Sequence, residues 1–599
     1  MDSHRSPIFV NLSLLVLMLT TGPTARADEH AILLDKEPVP GRLRFDSSGD
    51  LIFQATENQT VLPVRVIRKV ENPGRPKIAP GTLPALRLSL WGTESISGNV
   101  QSIEDDWVQL ETPAGDRLRV PLFLISKIEH AHGAAVFLRD DFESDQPLRR
   151  LSGTAAIDRD RAATGRGSGR LAKPGDLIEY RLPQPVASGW LEARFLDSAQ
   201  TEGKSTWFCE LEFDSRMGMR TLRVTFGWDG ECYGLESPQG PSLQVQRLSR
   251  REGWSRLGVR FSADTTSVLL DDAVLTHRDV GFGSLKTIRF GVRSGEEADP
   301  AELSGLTGYV DDLQVAADIA TSVERQPTAE EDDVLLVNGD QLFGRIQSAS
   351  PRDVTVEGDF GTQTLPWTGI KAIHFTQRPA TTHGVSGQRA RIRFTTSIGP
   401  GKGEVDSDTI DGAVRELTDE FFVLDHSHIG LVRIRRGQMR EIQFFAAGHW
   451  LSIDPRFHHF GDEVHVRFEV PHPGGSDRSW NFSLREIPAQ SALVLNVVGM
   501  APMAPGSEFN KRLENDEWRT YAAINGQKLD LMGLNHRLPL NSRGPVRVTV
   551  PIDAGVLRKG ENVLRIFQTP QQDDPGSFDD CGIFGIGLEL QETPMTAEK

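Results

Sequence analysis

The sequence predicts an all-β protein, and two observations support this fold class. Apolar and polar residues alternate with a period of two in many short stretches, and no long stretch with helical periodicity follows the first 27 residues. In addition, one pattern, clearest between Val334 and Phe375, occurs four times along the chain. In this unit Asn338-Gly339-Asp340 is a hairpin turn signal between alternating apolar residues. We therefore expect strand-built domains throughout.

The four copies of this pattern are assigned to residues 28–72, 84–132, 333–376 and 390–446. The first three share a glycine followed by a proline 22 or 23 residues later, at Gly41 and Pro63, Gly98 and Pro121, and Gly344 and Pro366. The fourth keeps Gly412 but has Arg433 near the proline position. A unit of roughly 40 residues rarely buries enough apolar surface to be stable alone, so we expect the copies to pack in two pairs.

Turn-forming linkers separate the first copy from the second and the third from the fourth, which favours these two pairings. The copies resemble the small SH3-like or Sm-like barrel repeats of secreted bacterial proteins. This resemblance implies five short strands with a tight turn before the last one.

Residues 1–27 have the features of a secretory signal peptide: Arg5, an apolar run, and Ala25-Arg26-Ala27 before Asp28. The apolar run, Ile8 to Thr20, is too short to span a bilayer. We therefore predict an exported protein of the periplasm or the cell exterior that is not an integral membrane protein.

The formal net charge of −17 makes nucleic acid an improbable partner class, because polyanions repel an acidic surface. Three cysteines, Cys209, Cys232 and Cys581, allow at most one internal disulfide, so the chain is not a disulfide scaffold. If the strands around Cys209 and Cys232 form a simple meander, these two thiols are too far apart to bond, and we expect them to be free.

Between the second and third copies, residues 136–318 contain several alternating segments and form one predicted domain. Its opening FLRDDFES, its segment GWSRLGVRFSADTTSVLLDDAVL and its closing GYVDDLQV resemble the concanavalin A-like lectin/glucanase jelly roll, including laminin-G-like modules. The resemblance implies two stacked curved sheets, with glycans held on the concave one. An acidic linker, residues 319–332, follows.

The last predicted domain covers residues 450–592. Alternation from Val464 to Val470 predicts a strand, and Ile524 to Leu529 predicts a hairpin at Asn525-Gly526. The stretch VRVTVPIDAGVLRKGENVLRI resembles the galactose-binding-like jelly roll of non-catalytic domains in glycosidases and polysaccharide lyases; Leu557, Gly560, Asn562 and Leu564 carry the resemblance.

The segment CELEFD contains the strongest catalytic candidates. Glu210, Glu212 and Asp214 alternate with apolar residues, so all three acids share one strand face. Family 16 glycoside hydrolases have a similar alternating acid triplet, in which the nucleophile and the acid/base must lie about 5–5.5 Å apart. The order Glu, Glu, Asp departs from that triplet. In addition, any strand with an apolar face in the core and a solvent-exposed acidic face has the same alternating pattern. We therefore predict no catalytic residue.

Aromatic side chains can stack on sugar rings, so they are candidates for carbohydrate binding. In the inserted domain we predict ligand contacts at Glu210, Glu212 and Tyr233, whereas Trp207 and Trp254 are expected in the core and Trp228 is a weaker candidate. In the last domain the candidates are Trp480, Trp518 and Tyr521.

His426, His428, His458 and His459 lack a third ligand at a metal-binding spacing, so we interpret them as surface residues and predict no metal site. Three aspartate pairs could ligate a structural Ca²⁺, although none forms a calcium-loop motif: Asp140-Asp141, Asp311-Asp312 and Asp579-Asp580. No other cofactor is predicted.

Together these observations predict a non-enzymatic exported protein that binds carbohydrate or another envelope component through its two jelly rolls. Two alternatives remain open: a structural or assembly protein that binds protein partners through its repeats, and a glycoside hydrolase that uses Glu210, Glu212 and Asp214.

Overall fold

Strands make up nearly all of the regular structure, which confirms the predicted all-β class. The computed structural model describes residues 29–591, except for gaps at 34–36, 57–59, 73–85, 132–133, 144, 198–204, 217, 227–231, 238–247, 250–252, 272, 279–280, 295–306, 319–329, 399–404, 508 and 541–543. The predicted signal peptide and most of the acidic linker therefore lie outside the described residues. Within them, no helix has the length and apolar character needed to cross a membrane.

The first two repeats each form five short antiparallel strands. The first repeat contains β1 (Glu29–Leu33), β2 (Val39–Phe45), β3 (Leu51–Ala55), β4 (Val61–Pro63) and β5 (Ile67–Glu71). The second contains β6 (Leu86–Leu90), β7 (Ser95–Glu104), β8 (Trp107–Glu111), β9 (Arg117–Pro121) and β10 (Ile125–His130). In each repeat a 3₁₀ turn of three residues separates the fourth strand from the fifth.

The inserted segment forms a two-sheet sandwich. Its strands are β11 (Ala134–Asp140), β12 (Arg149–Ser152), β13 (Ala156–Asp158), β14 (Ser168–Leu171), β15 (Leu177–Val186), β16 (Gly189–Asp197), β17 (Ser205–Ser215), β18 (Gly218–Phe226), β19 (Cys232–Glu236), β20 (Leu248–Ser249), β21 (Gly253–Phe261), β22 (Thr266–Leu270), β23 (Ala273–Arg278), β24 (Ser284–Ser294) and β25 (Gly308–Asp318). One sheet has the order β13-β14-β25-β16-β21-β22-β23, with β11 also paired to β25, and the other has the order β12-β15-β24-β17-β18-β19-β20. Apolar side chains from both sheets form one buried core.

The ends of the insert lie side by side, because Ala134 pairs with Asp318. The insert therefore leaves the repeats and returns to them at one place. Its strands β17, β18 and β19 form the meander assumed for the cysteines, and Cys209 is buried without a disulfide, as is Cys581 in the last domain. The side chain of Cys232 lies outside the described residues.

The third and fourth repeats repeat the five-strand plan. The third contains β26 (Asp332–Leu336), β27 (Gln341–Ala349), β28 (Asp353–Gly358), β29 (Gly361–Pro366) and β30 (Ile370–His374). The fourth contains β31 (His383–Ile398), β32 (Val405–Leu417), β33 (Phe421–His426), β34 (Gly430–Arg435) and β35 (Met439–Asp454). The residue before the 3₁₀ turn is Pro366 in the third repeat and Arg435 in the fourth, so Arg435, rather than Arg433, occupies the proline position.

The glycine shared by the repeats is required by a close approach between strands. A β-carbon at Gly41 would lie 2.3 Å from the carbonyl oxygen of Gln54, and one at Gly98 would lie 2.5 Å from that of Glu111. The same clash, at 2.4 Å, would occur at Gly344 with the carbonyl of Glu357. Only glycine permits this separation without a shift of the backbone.

The repeats pair, but the predicted partners are wrong. Strand β5 of the first repeat pairs with β35 of the fourth, where Val70 faces Ile442, and β10 of the second pairs with β30 of the third, where Ile128 faces Ile373. These four residues are fully buried. In each pair, the edge of one repeat's last strand pairs with the edge of the other repeat's last strand. The linkers between repeats give no indication of which edges pair.

The last domain is a second sandwich that continues from the fourth repeat without a break. Its further strands are β36 (His458–Phe460), β37 (Asp477–Leu484), β38 (Gln490–Val498), β39 (Thr520–Ile524), β40 (Gln527–Lys528), β41 (Val546–Ile552), β42 (Gly560–Gln568) and β43 (Cys581–Gln591), and its one α-helix among the described residues is α1 (Asn510–Glu514). One sheet has the order β31-β35-β43-β38-β41 and the other β37-β42-β39-β40. The long strands β31 and β35 thus belong to both the fourth repeat and this sandwich.

The hairpin predicted at Asn525-Gly526 is present, and both residues have positive φ, as a type I′ turn requires. The strand predicted over Val464 to Val470 is wrong. This segment forms turns and bends. Phe468 and Val470 pack against a cluster that contains Trp91 and Phe457, whereas Val466 is 75% exposed. The alternation of apolar residues here therefore does not correspond to the two faces of a strand.

The observed pairing predicts specific cross-links. A chain with Lys127→Cys and His374→Cys should form a disulfide on mild oxidation, because these residues face each other across β10 and β30. The Cα–Cα distance between directly opposed residues of antiparallel strands lies within the range that disulfides span. Lys69→Cys with Gln443→Cys should behave in the same way across β5 and β35. Non-reducing electrophoresis after proteolysis detects both. The control pair Lys69→Cys and Lys127→Cys should stay reduced; its cross-linking, with failure of the other two, would contradict the observed pairing.

Candidate functional site

The acid triplet lies on the outer face of β17, as predicted. Cys209, Leu211 and Phe213 point into the sandwich core and are fully buried, so the alternating Glu210, Glu212 and Asp214 face outward. Asp214 is exposed, whereas the other two acids are partly buried. The neighbouring strands β18 and β24 place Arg223 and Arg289 directly opposite Glu210.

Glu210 is held by two arginines. Its Oε2 accepts hydrogen bonds from Nε of Arg223 at 3.0 Å and from Nη2 at 2.5 Å, and its Oε1 accepts one from Nη1 of Arg289 at 3.0 Å. Arg289 also approaches Glu212 at 3.0 Å and donates from Nε to Glu179 on β15 at 2.8 Å. We call Glu179, Arg289, Glu210 and Arg223 the charge ladder, because their charges alternate across four strands.

Hydrogen bonds between members of the charge ladder shift the pKa of Glu179 and of Arg289. Although burial opposes it, hydrogen bonds from Arg289 and Arg181 lower the pKa of Glu179 below its usual value. Burial likewise opposes the charge of Arg289, but hydrogen bonds to Glu179 and Glu210 raise its pKa. Both oxygens of Glu210 accept hydrogen bonds from arginines, so the hydrogen-bonding capacity of this carboxylate is used within the protein.

The aromatic candidates of the insert contribute little to a described site. Tyr233 lies on β19, but its side chain is outside the described residues, and Trp228 falls outside them entirely. Trp207 is 5% exposed and belongs to the core, as expected. The described part of this face therefore presents the charge ladder, with the guanidinium of Arg223 5.5 Å from the centre of the partly buried Phe208 ring.

In the last domain, Trp480 and Tyr521 are fixed by polar contacts instead of facing solvent. The indole Nε1 of Trp480 donates to Oδ2 of Asp454 at 2.9 Å. Tyr521 is 2% exposed, its hydroxyl donates to Asp516 at 2.5 Å, and Nζ of Lys528 lies 3.4 Å from the centre of its ring. These contacts indicate that both rings stabilise the fold.

Trp518, like Trp480, is less deeply buried than Tyr521. It is partly buried, it has a positive φ of 56°, and the guanidinium of Arg512 lies 4.4 Å from the centre of its ring. The three candidates do not share one described cavity. The structure therefore does not bring them together as a single binding site.

The histidines predicted at the surface are buried, which corrects that interpretation. His426 is 4% exposed, His458 is 2% exposed, and His459 is fully buried. His428 is partly buried and hydrogen-bonds Ser452 through Nε2 at 3.1 Å. The rings of His426 and His428 line the junction of the second repeat, the fourth repeat and the last sandwich, whereas His458 packs on Trp480 and His459 on Phe468. Sequence spacing alone does not reveal these positions.

Two aspartates of the insert pairs serve structural roles. Asp140 accepts hydrogen bonds from Arg149 at 2.8 Å and from the hydroxyl of Tyr180 at 2.8 Å. Asp311 accepts from the backbone N–H groups of Ala163 and Thr164. Among the described residues, no group of three or more potential ligands is arranged to hold a metal ion.

The basic members of this site could not be predicted from the sequence. Arg223 and Arg289 lie outside any recognisable motif, and their role follows only from the pairing of β17 with β18 and β24. Asp454, which is 1% exposed and also accepts a hydrogen bond from His458 at 3.0 Å, was missed for the same reason. An isolated charged residue in an alternating strand gives no indication of its partner on the neighbouring strand.

No model of a known protein family matches the chain, and no curated protein matches it. Solved structures match parts of it. A non-specific endo-β-1,3(4)-glucanase from family GH16 has 12% sequence identity, covers 32% of this chain and 95% of its own, and gives a TM-score of 0.25. A family 16 endo-glucanase from Bacteroides ovatus has 13% sequence identity, covers 30% of this chain and 99% of its own, and gives a TM-score of 0.25. A protein of unknown function with a galectin-like fold from Bacillus subtilis has 13% sequence identity, covers 31% of this chain and 97% of its own, and gives a TM-score of 0.21. Values this low transfer no activity to this chain.

The buried histidines predict a loss of stability in mild acid. Burial, together with His426 and His383, lowers the pKa of His428 from 6.5 to about 3. Below pH ~6.5 the unfolded chain therefore binds a proton that the folded chain does not, and stability falls as the pH drops towards 3. Between pH 7 and 5 this one group costs about 2 kcal/mol.

His428→Gln should remove that part of the loss. Urea unfolding at pH 7 and pH 5 should give a difference in unfolding free energy that is about 2 kcal/mol smaller in the variant than in the wild type. His472→Gln, at an exposed position, is the control and should keep the wild-type difference. Equal pH dependence in all three chains would show that His428 titrates normally in the folded protein.

Proposed function

We propose that this chain is a non-enzymatic exported protein that binds a component of the cell envelope, with carbohydrate as the first ligand class to test. The observation that carries the non-enzymatic part is the charge ladder. A retaining glycosidase needs one carboxylate free to attack and a second free to donate a proton. Here Glu210 accepts three hydrogen bonds from two arginines, and Glu212 contacts Arg289.

The arrangement of the domains supports a binding platform. The inserted sandwich is attached by adjacent ends to the second and third repeats, and β35 runs through both the fourth repeat and the last sandwich. The apolar residues of all four repeats form one continuous core. Such a scaffold carries two sandwiches on one body of repeats, which suits a protein that contacts an extended surface at more than one point.

The assembly-protein alternative is favoured by a separate observation. Cations lie over the rings of both Trp518 and Tyr521, and the charge ladder occupies the described face around Glu210. A sugar ring would have to displace these groups before it could stack. Protein partners need no such displacement, because they can contact the polar face as it stands.

Glu210→Gln separates the charge ladder from an active site. Replacing the carboxylate leaves Arg289 and Arg223 with a neutral partner in a partly buried setting, so we expect a loss of about 1–3 kcal/mol in unfolding free energy. Asp214→Asn should leave stability unchanged, because Asp214 is exposed. Urea unfolding measures both. Reducing-sugar release from β-glucans by the wild-type chain should stay at background; release that either substitution abolishes would overturn the non-enzymatic proposal.

Binding to glycans separates the carbohydrate ligand from a protein partner. We expect the full-length chain to bind at least one polysaccharide on a glycan array, and Trp518→Ala to weaken that binding about fivefold through loss of stacking. Trp107→Ala is the matched control, since Arg119 lies 4.7 Å from the centre of its ring and this tryptophan belongs to the second repeat rather than to the last sandwich. If the wild type binds no glycan and instead co-purifies defined envelope proteins, the ligand is protein and the assembly alternative is correct.

A further inference from the structure

A cavity of about 60 Å³ lies where the second repeat, the fourth repeat and the last sandwich meet. We call it the junction cavity. Its charged and aromatic lining comes from all three units: Glu94 from the second repeat, Arg389 and Asp411 from the fourth, Trp450 from the shared strand β35, and Arg547 from the last sandwich. No residue of the charge ladder reaches it, so the cavity is independent of the face around Glu210.

Arg389 is the feature of the junction cavity that a fold alone does not explain. It is 5% exposed, yet its Nε and Nη1 have no hydrogen-bond partner. The nearest carboxylate oxygen, on Glu589, is 3.7 Å from Nη1, and this same oxygen accepts a hydrogen bond from Arg547 at 2.6 Å. A buried guanidinium with two nitrogens that lack hydrogen bonds is unfavourable for the folded state, so its presence points to a partner that the protein itself does not supply.

The other arginines of the cavity are already paired. Arg391 makes two hydrogen bonds to Asp411, at 2.6 and 2.9 Å, and Arg547 is bonded to Glu589. Three arginines line the cavity, and the acids Glu94, Asp411 and the adjacent Glu589 balance their charge, so the unpaired donors of Arg389 are what distinguishes this site. His428, whose pKa is lowered to about 3, is neutral at pH 7 and adds a ring nitrogen, Nδ1, that also has no hydrogen-bond partner.

Stacking fixes the orientation of Arg389. Its guanidinium carbon lies 4.0 Å from the centre of the Trp450 ring and 5.1 Å from that of Phe445. Burial lowers the pKa of Arg389 to about 10, so it stays charged near neutrality. A planar cation held in one orientation, with N–H groups free, is organised in advance for a planar oxyanion.

We propose that the junction cavity binds a small oxyanion, a carboxylate in the first instance, through the free N–H groups of Arg389. A single water needs about 10–15 Å³ by the same measure, so the cavity has room for about four waters or one carboxylate group. The neighbouring groove of about 330 Å³, which Arg389 and Trp450 also line, can accommodate a larger body attached to that carboxylate. The carboxylate can therefore come from a free acid or from an acidic sugar, and this proposal does not depend on the function proposed above.

The test uses the full-length chain and titrates acetate, glucuronate and inorganic phosphate at constant ionic strength, with glucose as the neutral control. Isothermal calorimetry should show saturable binding of at least one of the two carboxylates, with a dissociation constant near or below ~1 mM. Arg389→Met should weaken that binding at least tenfold, because it keeps the stacked chain and removes the donors. Arg415→Met is the matched control: this arginine lies in the same repeat, is paired with Asp425 and does not line the cavity, so binding should be unchanged.

The outcomes are distinct. Tighter binding of glucuronate than of acetate identifies an acidic sugar as the source, and the reverse order identifies a small free acid. Absence of saturable binding for all three anions, or equal binding by the wild type and Arg389→Met, overturns the proposal. If Arg389→Met does not fold, Arg389→Lys and the ¹⁵Nε–H resonance of Arg389 replace it: that resonance must shift on addition of the carboxylate, and an unchanged resonance overturns the proposal equally.

Discussion

The antiparallel pairing of the last strands of the repeats is the constraint on which the rest of the structure depends. The first repeat pairs with the fourth and the second with the third, so the pairs are nested along the chain. If the last strand of a repeat had no partner strand, a row of its backbone N–H and C=O groups would be left without partners in the protein. The core of a single repeat is too small to offset the resulting loss of stability. Nesting satisfies these edges and brings residues more than 300 positions apart into contact, such as Ser97 and Asp408, whose carboxylate accepts the backbone N–H of Ser97 at 2.5 Å.

Nesting also explains where the insert and the last sandwich are placed. Because the second and third repeats pair, the chain between them must leave and return at one edge, and the adjacent ends of the insert, Ala134 and Asp318, meet this requirement. Because β35 is already paired with β5 over its first half, its second half can extend outward and begin a new sheet with β43. The outer elements are thus added to the paired core without interrupting it.

Local features of the fold could be predicted from the sequence, whereas its long-range pairings could not. The repeat glycine at Gly41, the hairpin at Asn525-Gly526 and the single-face placement of Glu210 and Glu212 all depend on neighbouring residues and backbone geometry. The partner of Ile128 depends on which edge is free after folding, and no pattern near Ile128 encodes it. The same difference separates the acids of the charge ladder, which the sequence revealed, from Arg289, which it did not.

The charge ladder and the junction cavity show how the same residue types lead to opposite conclusions. Arg289 is partly exposed, and its guanidinium is shared among three carboxylates, so its donors are used within the protein. Arg389 is more deeply buried, where an unmade hydrogen bond costs more, and yet two of its nitrogens have no acceptor. A folded protein tolerates such a group when another interaction offsets the unfavourable free energy of the missing hydrogen bonds. The stacking of Arg389 on Trp450 offsets only part of this free energy. The balance of used and unused donors, rather than the presence of acids on a strand, is therefore what distinguishes a structural network from a place where a ligand binds.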